Sequence, residues 1–148
     1  MMKQLQLIAN LLTPKRIFLG GTCNNSPWRD KLIPQLTADY FNPVVEDWTE
    51  ECQKREIEER ESCDICLYVI TPKMKGTYSI AEVVDDSNKR PEKTVFCIVK
   101  KDGENTFGEQ EYKSLKQVLK LVEDNNSKAF DLENIDTLKP LASYLNSN

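Results

Sequence analysis

Residues 63–86 limit the possible folds of this chain more than any other stretch. Residues 65–70 are almost continuously apolar, as in a strand that is buried on both faces of a parallel sheet. A loop with Pro72 and Gly76 follows, and residues 79–86 resume with apolar side chains at helical spacing. Such a succession brings a strand carboxyl end and a helix amino end together, which is where α/β proteins keep their ligands.

Strand and helix patterns alternate along the rest of the chain. The predicted strands are residues 17–19, 40–45, 65–70, 94–99 and 129–130. The predicted helices are residues 4–12, 28–36, 50–61, 79–86, 109–123 and 135–145, with Ser26 and Thr49 as the N-caps of the second and third. This alternation specifies right-handed βαβ crossovers and predicts one α/β domain over residues 1–148, with residues 1–14 as an N-terminal helical extension.

Charge and composition exclude several classes of protein. Apolar residues make up 39% of the chain and charged residues 30%, as in ordinary soluble domains. No apolar run approaches the roughly 20 residues of a membrane-spanning helix, so we expect no membrane partner. The net charge of −4 argues against a partner of polymeric nucleic acid, which needs clustered positive charge.

The cysteine and histidine counts limit the chemistry. The chain has 5 cysteines, and this odd number, with several in apolar strands, indicates the reduced thiols of a cytoplasmic protein. Histidine is absent, which excludes Ser-His-Asp and Cys-His catalysis and histidine-bound zinc. Cys63 and Cys66 have CxxC spacing, but these positions in a strand would face opposite sides, so we predict no metal site.

Glu82 is the leading candidate for chemistry because it lies at the start of a predicted helix. Ser79 and Glu82 have the S-x-x-E spacing of a capping box, in which both side chains bind free amides at a helix start. The functional alternative uses the same position, where the helix dipole keeps a first-turn carboxylate ionised beside the crevice. Such a carboxylate can attack an electron-poor carbon, for example the anomeric carbon of a sugar.

Further candidates lie in the turn after the first strand and at the start of the next helix. Gly20, Gly21 and Thr22 could let the backbone approach a sugar or a phosphate, and a plain tight turn is the equal alternative. Trp28 could stack on a base and Arg29 could pair with a carboxylate. A packing tryptophan beside a surface arginine fits the pattern equally well.

Charged residues also follow the second and the central strand. Glu46 and Asp47 reach the same rim, where an acid could protonate a departing base. A solvated loop anchored by Trp48 is the alternative. Lys73 and Lys75 could recruit a phosphate or could keep their loop solvated.

Three segments, taken in order, resemble the nucleoside 2-deoxyribosyltransferase-like family. They are IFLGGTCNNSPWRDKLI, YFNPVVEDW and CDICLYVITPKMKGTYSIAEVVDD, and the likeness covers residues 15–99. The resemblance implies a flavodoxin-like or Rossmann-like three-layer sandwich with a mostly parallel sheet of about five strands. It also implies a nucleoside or nucleotide bound at the strand carboxyl ends, in a site often completed by a second subunit.

The resemblance assigns roles to individual residues. Glu82 matches the nucleophile that attacks the anomeric carbon, and Asp47 is our candidate for the acid. Gly20 and Gly21 match the turn near the base, and Gly76 and Ser79 match the loop that leads to the nucleophile. Our further candidates for substrate binding are Thr22, Trp28, Arg29, Asn42 and Tyr78. This chemistry needs neither a metal nor an organic cofactor.

The chain departs from the family pattern near the central strand. Characterised transferases carry acidic residues at the end of this strand and in the next loop, where this chain has Thr71-Pro72 and Met74-Lys75-Gly76. They also often have a tyrosine where this chain has Phe18.

Two classes of function follow from these observations. The first is an enzyme, in a homo-oligomer, that cleaves or exchanges the N-glycosidic bond of a (deoxy)nucleoside or nucleotide. The second is a non-catalytic nucleotide-binding module on the same fold, and a nucleotide N-glycoside hydrolase is a further alternative.

Overall fold

A computed structural model describes residues 2–5, 15–23 and 25–147. Its strands are β1 (Arg16–Gly21), β2 (Asp39–Phe41), β3 (Ile65–Ile70), β4 (Thr94–Asp102), β5 (Asn105–Thr106) and β6 (Lys128–Asn134). Its helices are α1 (Trp28–Leu32), α2 (Glu50–Ser62), α3 (Tyr78–Lys89), α4 (Glu109–Asp124) and α5 (Lys139–Ser147), with 3₁₀ turns at Ile33–Gln35 and Pro91–Lys93. Residues 2–5 are helical, and most of the predicted helix 4–12 lies outside the described residues.

Five parallel strands form the body of the sheet. β1 pairs with β2 on one side and β3 on the other, β3 pairs with β4, and β4 pairs with β6, all in parallel. The order β2-β1-β3-β4-β6 is that of a flavodoxin-like fold, in which the chain reverses direction across the sheet between β1 and β3. The sixth strand, β5, pairs antiparallel with the end of β4. The predicted α/β fold with a mostly parallel sheet is confirmed.

Two apolar layers cover the two faces of the sheet, and β3 shows how the sequence builds both. Ile65, Leu67 and Val69 pack into the layer with α1 and α5. The alternate residues, such as Tyr68, pack into the layer with α3 and α4. Because both faces are covered, every residue of β3 is buried, as its continuous apolar run predicted.

Several element bounds differ from the sequence prediction for identifiable reasons. β2 has only 3 residues and ends before Pro43, which has no amide hydrogen for the ladder. β4 extends beyond the predicted strand 94–99 to Asp102, because β5 turns back to pair with its end in a hairpin. β6 runs to Asn134, so the last helix begins at Lys139 instead of at the predicted residue 135.

The two predicted helix caps have different outcomes. Thr49 caps α2, and its hydroxyl accepts a hydrogen bond from the amide of Cys52 at 3.3 Å, as predicted. The prediction for Ser26 is wrong, because Pro27 is the N-cap of α1 and the Ser26 hydroxyl donates to Asp102 instead. Within the described residues, no helix is both long and apolar enough to cross a membrane.

Candidate active site

A pocket of about 320 Å³ opens where the carboxyl ends of β1 and β3 lie side by side. This is the point at which the strand order reverses, so the loops after the two strands diverge and leave a crevice between them. The pocket is lined by Gly21, Thr22, Cys23, Trp48, Gln53, Glu56, Ile57, Arg60, Met74, Gly76, Tyr78, Ser79 and Glu82. One wall therefore comes from β1, one from α2, and one from the loop before α3 and its first turns.

The turn after β1 is fixed against β3 by two glycines and a threonine. Gly21 has φ of +119°, and a Cβ there would lie 2.0 Å from the carbonyl oxygen of Val69. A Cβ on Gly20 would lie 2.7 Å from the ring of Tyr68. The buried Thr22 hydroxyl accepts a hydrogen bond from the amide of Thr71 at 3.0 Å. The tight turn is therefore present, and Gly21 and Thr22 of this turn line the pocket.

Trp28 and Arg29 hold this turn through hydrogen bonds to its carbonyl groups, and neither residue lines the pocket. Trp28 is fully buried in the core, and its Nε1 donates to the carbonyl of Thr22 at 2.8 Å. The guanidinium of Arg29 is also buried and donates to the carbonyls of Leu19 and Thr22 at 2.7–3.1 Å. The expected stacking of Trp28 on a base and the expected pairing of Arg29 with a ligand are therefore corrected: both side chains have structural roles. The alternative of a surface arginine is also wrong, because Arg29 is buried.

Helix α3 begins one residue earlier than predicted, and this changes the environment of Glu82. Thr77 is the N-cap and Ser79 lies inside the helix, so the predicted Ser79–Glu82 capping box does not form. Glu82 is the fifth helical residue, and its side chain is 13% exposed at the pocket. Burial raises the pKa of its carboxyl from 4.5 to about 7, so the expectation that the helix dipole keeps it ionised is also corrected.

The charged groups around Glu82 come from α2 and from its own helix. Nη1 of Arg60 lies 3.5 Å from Oε2 of Glu82 and lowers the pKa of the carboxyl, whereas the charges of Glu56 and Asp86 raise it. Burial, opposed by the charge of Arg60, also raises the pKa of Glu56. The pocket thus holds two carboxyl groups whose pKa values are both lowered by the charge of Arg60 and raised by burial.

Beneath Glu82 lies a buried polar network centred on the fully buried Asp86. Its carboxylate accepts hydrogen bonds from Arg60 at 2.8 and 3.2 Å, from Arg90 at 3.0 Å and from the hydroxyl of Tyr68. Burial and the neighbouring Asp86 carboxylate raise the pKa of Tyr68, which keeps its hydroxyl protonated as a donor. Every partner of Asp86 is thereby a donor, as a buried carboxylate requires.

The mouth of the pocket carries two exposed aromatic side chains. Trp48, in the loop after β2, is 59% exposed, and Tyr78, the first residue of α3, is 69% exposed. Gly76 and Ser79 lie beside Tyr78 in the lining. A Cβ on Gly76 would meet no described atom within 4 Å, so its glycine is not required for space.

Two predicted site residues lie outside this lining. Asp47 is exposed next to Trp48 but does not line the pocket. Asn42 is exposed too, and its Oδ1 accepts a hydrogen bond from the amide of Val44 at 3.1 Å, which forms a local turn after β2. Asn42 lines a separate surface groove with Phe41 and Arg55.

The two cysteines of the CxxC pair lie on the same side of the sheet, contrary to the prediction. The error arose because Cys63 ends α2 and only Cys66 is in a strand. Burial raises the pKa of both thiols to about 12, so they are unreactive at neutral pH. All five cysteines are free thiols, and the described residues contain no cluster of three or more metal-binding side chains.

Sequence reasoning missed the pocket face of α2. Gln53, Glu56, Ile57 and Arg60 follow the spacing i, i+3, i+4 and i+7, so they form one stripe on the helix. The spacing was visible in the sequence, but the stripe is mostly polar and the whole helix therefore resembled a solvated surface. Glu59, on another face of α2, pairs with Arg16 at the far end of β1.

The fold and the site together define an α/β protein of flavodoxin-like topology, with a half-buried carboxyl group in a pocket at the reversal point of its sheet. The chain belongs to the nucleoside 2-deoxyribosyltransferase like family, whose sequence model matches residues 14–101. The matched region contains every residue that lines the pocket. In comparisons with curated proteins and with solved structures, nothing matched.

Proposed function

We propose that this protein cleaves or exchanges the N-glycosidic bond of a (deoxy)nucleoside or nucleotide, with Glu82 as the nucleophile. The observation that carries the proposal is the position of Glu82, inside the pocket between β1 and β3 in a chain of this family. Ligands of open α/β sheets bind in this crevice. The pocket residues Gly21, Ser79 and Tyr78 are the proposed contacts to the substrate.

The proposed reaction has two displacements. A carboxylate oxygen of Glu82 attacks the anomeric carbon, and the bond to the base nitrogen breaks as its electron pair leaves with the base, which takes up a proton. The product is a glycosyl ester of Glu82. A second base or a water molecule then attacks the same carbon, and the electron pair of the ester bond returns to Glu82. Transfer and hydrolysis differ only in this second nucleophile.

Other pocket residues suit the handling of the base. Trp48 and Tyr78 present exposed rings at the mouth, and an aromatic ring can stack on a planar base. Glu56 is better placed than Asp47 to give a proton to the leaving base, since it lines the pocket and burial raises its pKa. We therefore assign the role of general acid to Glu56.

The proposal includes a homo-oligomer in the cytoplasm. Val44 and Val45 are exposed beside the pocket loop of Trp48, and a second copy of the chain would cover them. Three buried, unpaired thiols, at Cys63, Cys66 and Cys97, suit a reducing compartment.

The test is chromatography of the protein with a panel of deoxynucleosides and their monophosphates, each with and without a free acceptor base. We expect release of a free base or formation of an exchanged nucleoside. Glu82→Gln should lower this turnover by about 10⁴-fold, because an amide cannot form the ester. Glu58→Gln is the matched control, since Glu58 is an exposed glutamate on α2 outside the pocket.

The same panel distinguishes the alternatives. Product that appears only with an acceptor base indicates a transferase, and product without an acceptor indicates a hydrolase. Saturable binding of a nucleotide with no release of base from any substrate would replace the enzyme with a non-catalytic binding module. Undiminished turnover by Glu82→Gln would rule out the covalent mechanism.

A further inference from the structure

Arg60 is a buried cation whose guanidinium connects the pocket to the network beneath it. Its side chain is only 10% exposed and lies between α2 and α3. Nη1 is 3.5 Å from Oε2 of Glu82, while Nη2 is 2.8 Å from Oδ1 of Asp86. The shorter bonds therefore hold Arg60 to Asp86, and the longer ion pair faces the pocket carboxyl.

The contacts with Asp86 fix the position of this guanidinium. Nε and Nη2 bind the two oxygens of the Asp86 carboxylate, which matches the forked geometry of arginine. Asp86 is fixed in turn by Arg90 and Tyr68 on its other sides. Nη2 also contacts Asp85 at 3.2 Å. A cation held in this way costs little reorganisation when a nearby charge changes.

Glu82 needs such a cation because its other charged neighbours are acidic. Glu56 faces it from α2, and Asp86 lies one turn further along α3. Cys23, from the end of β1, and Tyr78 are the remaining titratable groups of the pocket. Among the described residues, Arg60 is the cation paired with Glu82.

We propose that Arg60 is a positioning residue for Glu82: its guanidinium, held by Asp86, orients the Glu82 carboxylate in the pocket and favours its ionised form. The inference rests on the proposed function for its catalytic meaning, but the ion pair can be tested without turnover. It extends that function by naming the group that orients the proposed nucleophile.

The role of Arg60 differs between the two displacements. Formation of the glycosyl ester removes the negative charge from Glu82. Arg60 therefore assists this first step mainly by favouring the ionised form of the nucleophile. Breaking the ester returns an electron pair to the carboxylate, and Arg60 stabilises this leaving group. Loss of Arg60 also slows the first displacement by raising the pKa of Glu82, so its effect on the second is measured at a pH above that pKa, where the ester should accumulate.

The first test is a ¹³C NMR titration of the glutamate side-chain carboxyls, in which the Glu82 signal is the one missing from Glu82→Gln. We expect Arg60→Met to raise the pKa of Glu82 by about one to three units, the size of shift that an adjacent arginine causes. Arg90→Met is the matched control, because Arg90 binds the same Asp86 carboxylate but is not paired with Glu82. An unchanged pKa in Arg60→Met, or an equal rise in both variants, would overturn the proposal.

A second measurement avoids any loss of folding in the Arg60 variant. In the wild-type protein, the ¹⁵N resonances of the Arg60 guanidinium should shift with pH at the midpoint of Glu82. This shift should vanish in Glu82→Gln, which keeps the bonds to Asp86. Arg60 resonances that do not follow the titration of Glu82 would reject the ion pair.

An activity measurement separates this inference from the proposed function. Mass spectrometry of Arg60→Met mixed with a substrate should show the glycosyl ester accumulating, whereas the wild-type protein should turn it over. A wild type that releases no base would refute the proposed function, while the two titrations still decide the role of Arg60. An active Arg60→Met that accumulates no ester would refute the assigned effect on the second displacement.

Discussion

At the scale of single residues, the half-buried carboxyl of Glu82, the proposed nucleophile, lowers the stability of the fold at neutral and higher pH. Its pKa is raised from 4.5 to about 7 in the folded protein, so the folded state binds more protons than the unfolded state between these values. The stability of the fold therefore falls as pH rises through this window. Below pH 4.5 the carboxyl is neutral in both states and this effect is absent.

The first prediction concerns this cost. Glu82→Gln removes the ionisable group, so it should raise the free energy of unfolding at pH 8 by at most about 3 kcal/mol and leave it nearly unchanged at pH 4. Urea unfolding of both proteins at the two pH values measures the difference. Equal destabilisation at pH 4 and pH 8 would show that the carboxyl is not the source.

The second prediction concerns the rate. In the proposed reaction only the ionised Glu82 can attack, so kcat/KM should rise with pH with a midpoint near pH 7, and it should fall again where the proposed acid Glu56 loses its proton. Glu56→Gln should lower kcat/KM because it removes that acid, and it should move the rising midpoint downward because the charge of Glu56 raises the pKa of Glu82. Initial rates between pH 5 and pH 9 measure the profile. A midpoint near 4.5 would contradict the role of burial.

At the scale of elements, the end of β1 depends on backbone geometry more than on side chains. Gly21 has a positive φ and lies against β3, while Thr22 offers its carbonyl to Trp28 and Arg29. The pocket wall is therefore built from backbone atoms that cannot move independently of the sheet.

The third prediction tests this wall. Gly21→Ala should destabilise the protein by about 4 kcal/mol or more, because its Cβ would overlap β3 and its φ would be strained. Gly103→Ala is the control, since Gly103 has a positive φ but no described atom within 4 Å of a Cβ. That variant should lose only about 1–2 kcal/mol. Similar losses in both, by urea unfolding, would contradict the steric argument.

Elements were predictable from sequence where the local pattern alone decides the structure. The apolar run gave the bounds of β3, and the spacing of apolar residues gave nearly those of α4. The other predictions failed where contacts between residues distant in sequence decide the structure. Ser26 reaches Asp102, 76 positions away, instead of capping α1. Arg29 can be buried because the backbone carbonyls of Leu19 and Thr22 accept its hydrogen bonds, and no local signal in the sequence shows this.

At the scale of the whole molecule, the strand order placed Glu82 in the pocket, and this much followed from the βαβ pattern. The neighbours of Glu82 on α2, Glu56 and Arg60, could not be predicted in this way, because they belong to a different helix. Arg60 reaches Glu82 only through the packing of α2 against α3. A polar stripe facing another helix has the same composition as one facing water, so the sequence alone cannot separate them.

The fourth prediction concerns assembly. We expect light scattering to give a mass of at least two chains, and Val45→Asp to lower that mass by placing a charge in the proposed interface. Leu121→Asp is the control, because Leu121 is as exposed as Val45, at 46% against 47%, but lies on α4 and does not line the pocket. A strict monomer for the wild type at working concentration would contradict the oligomer.

The hydrogen bonds of Asp102 separate the loops at this end of the sheet into a fixed part and a part that can vary. Its carboxylate binds Ser26 and Thr71, so the turns after β1, β3 and β4 are joined. Within the described chain, residues 42–49 make no hydrogen bond or ion pair with Asp102, and almost all of them are exposed. Insertions are tolerated in segments of this kind. Under the proposed function, the range of accepted bases can therefore diversify through residues 42–49, while the wall that presents Glu82 stays the same.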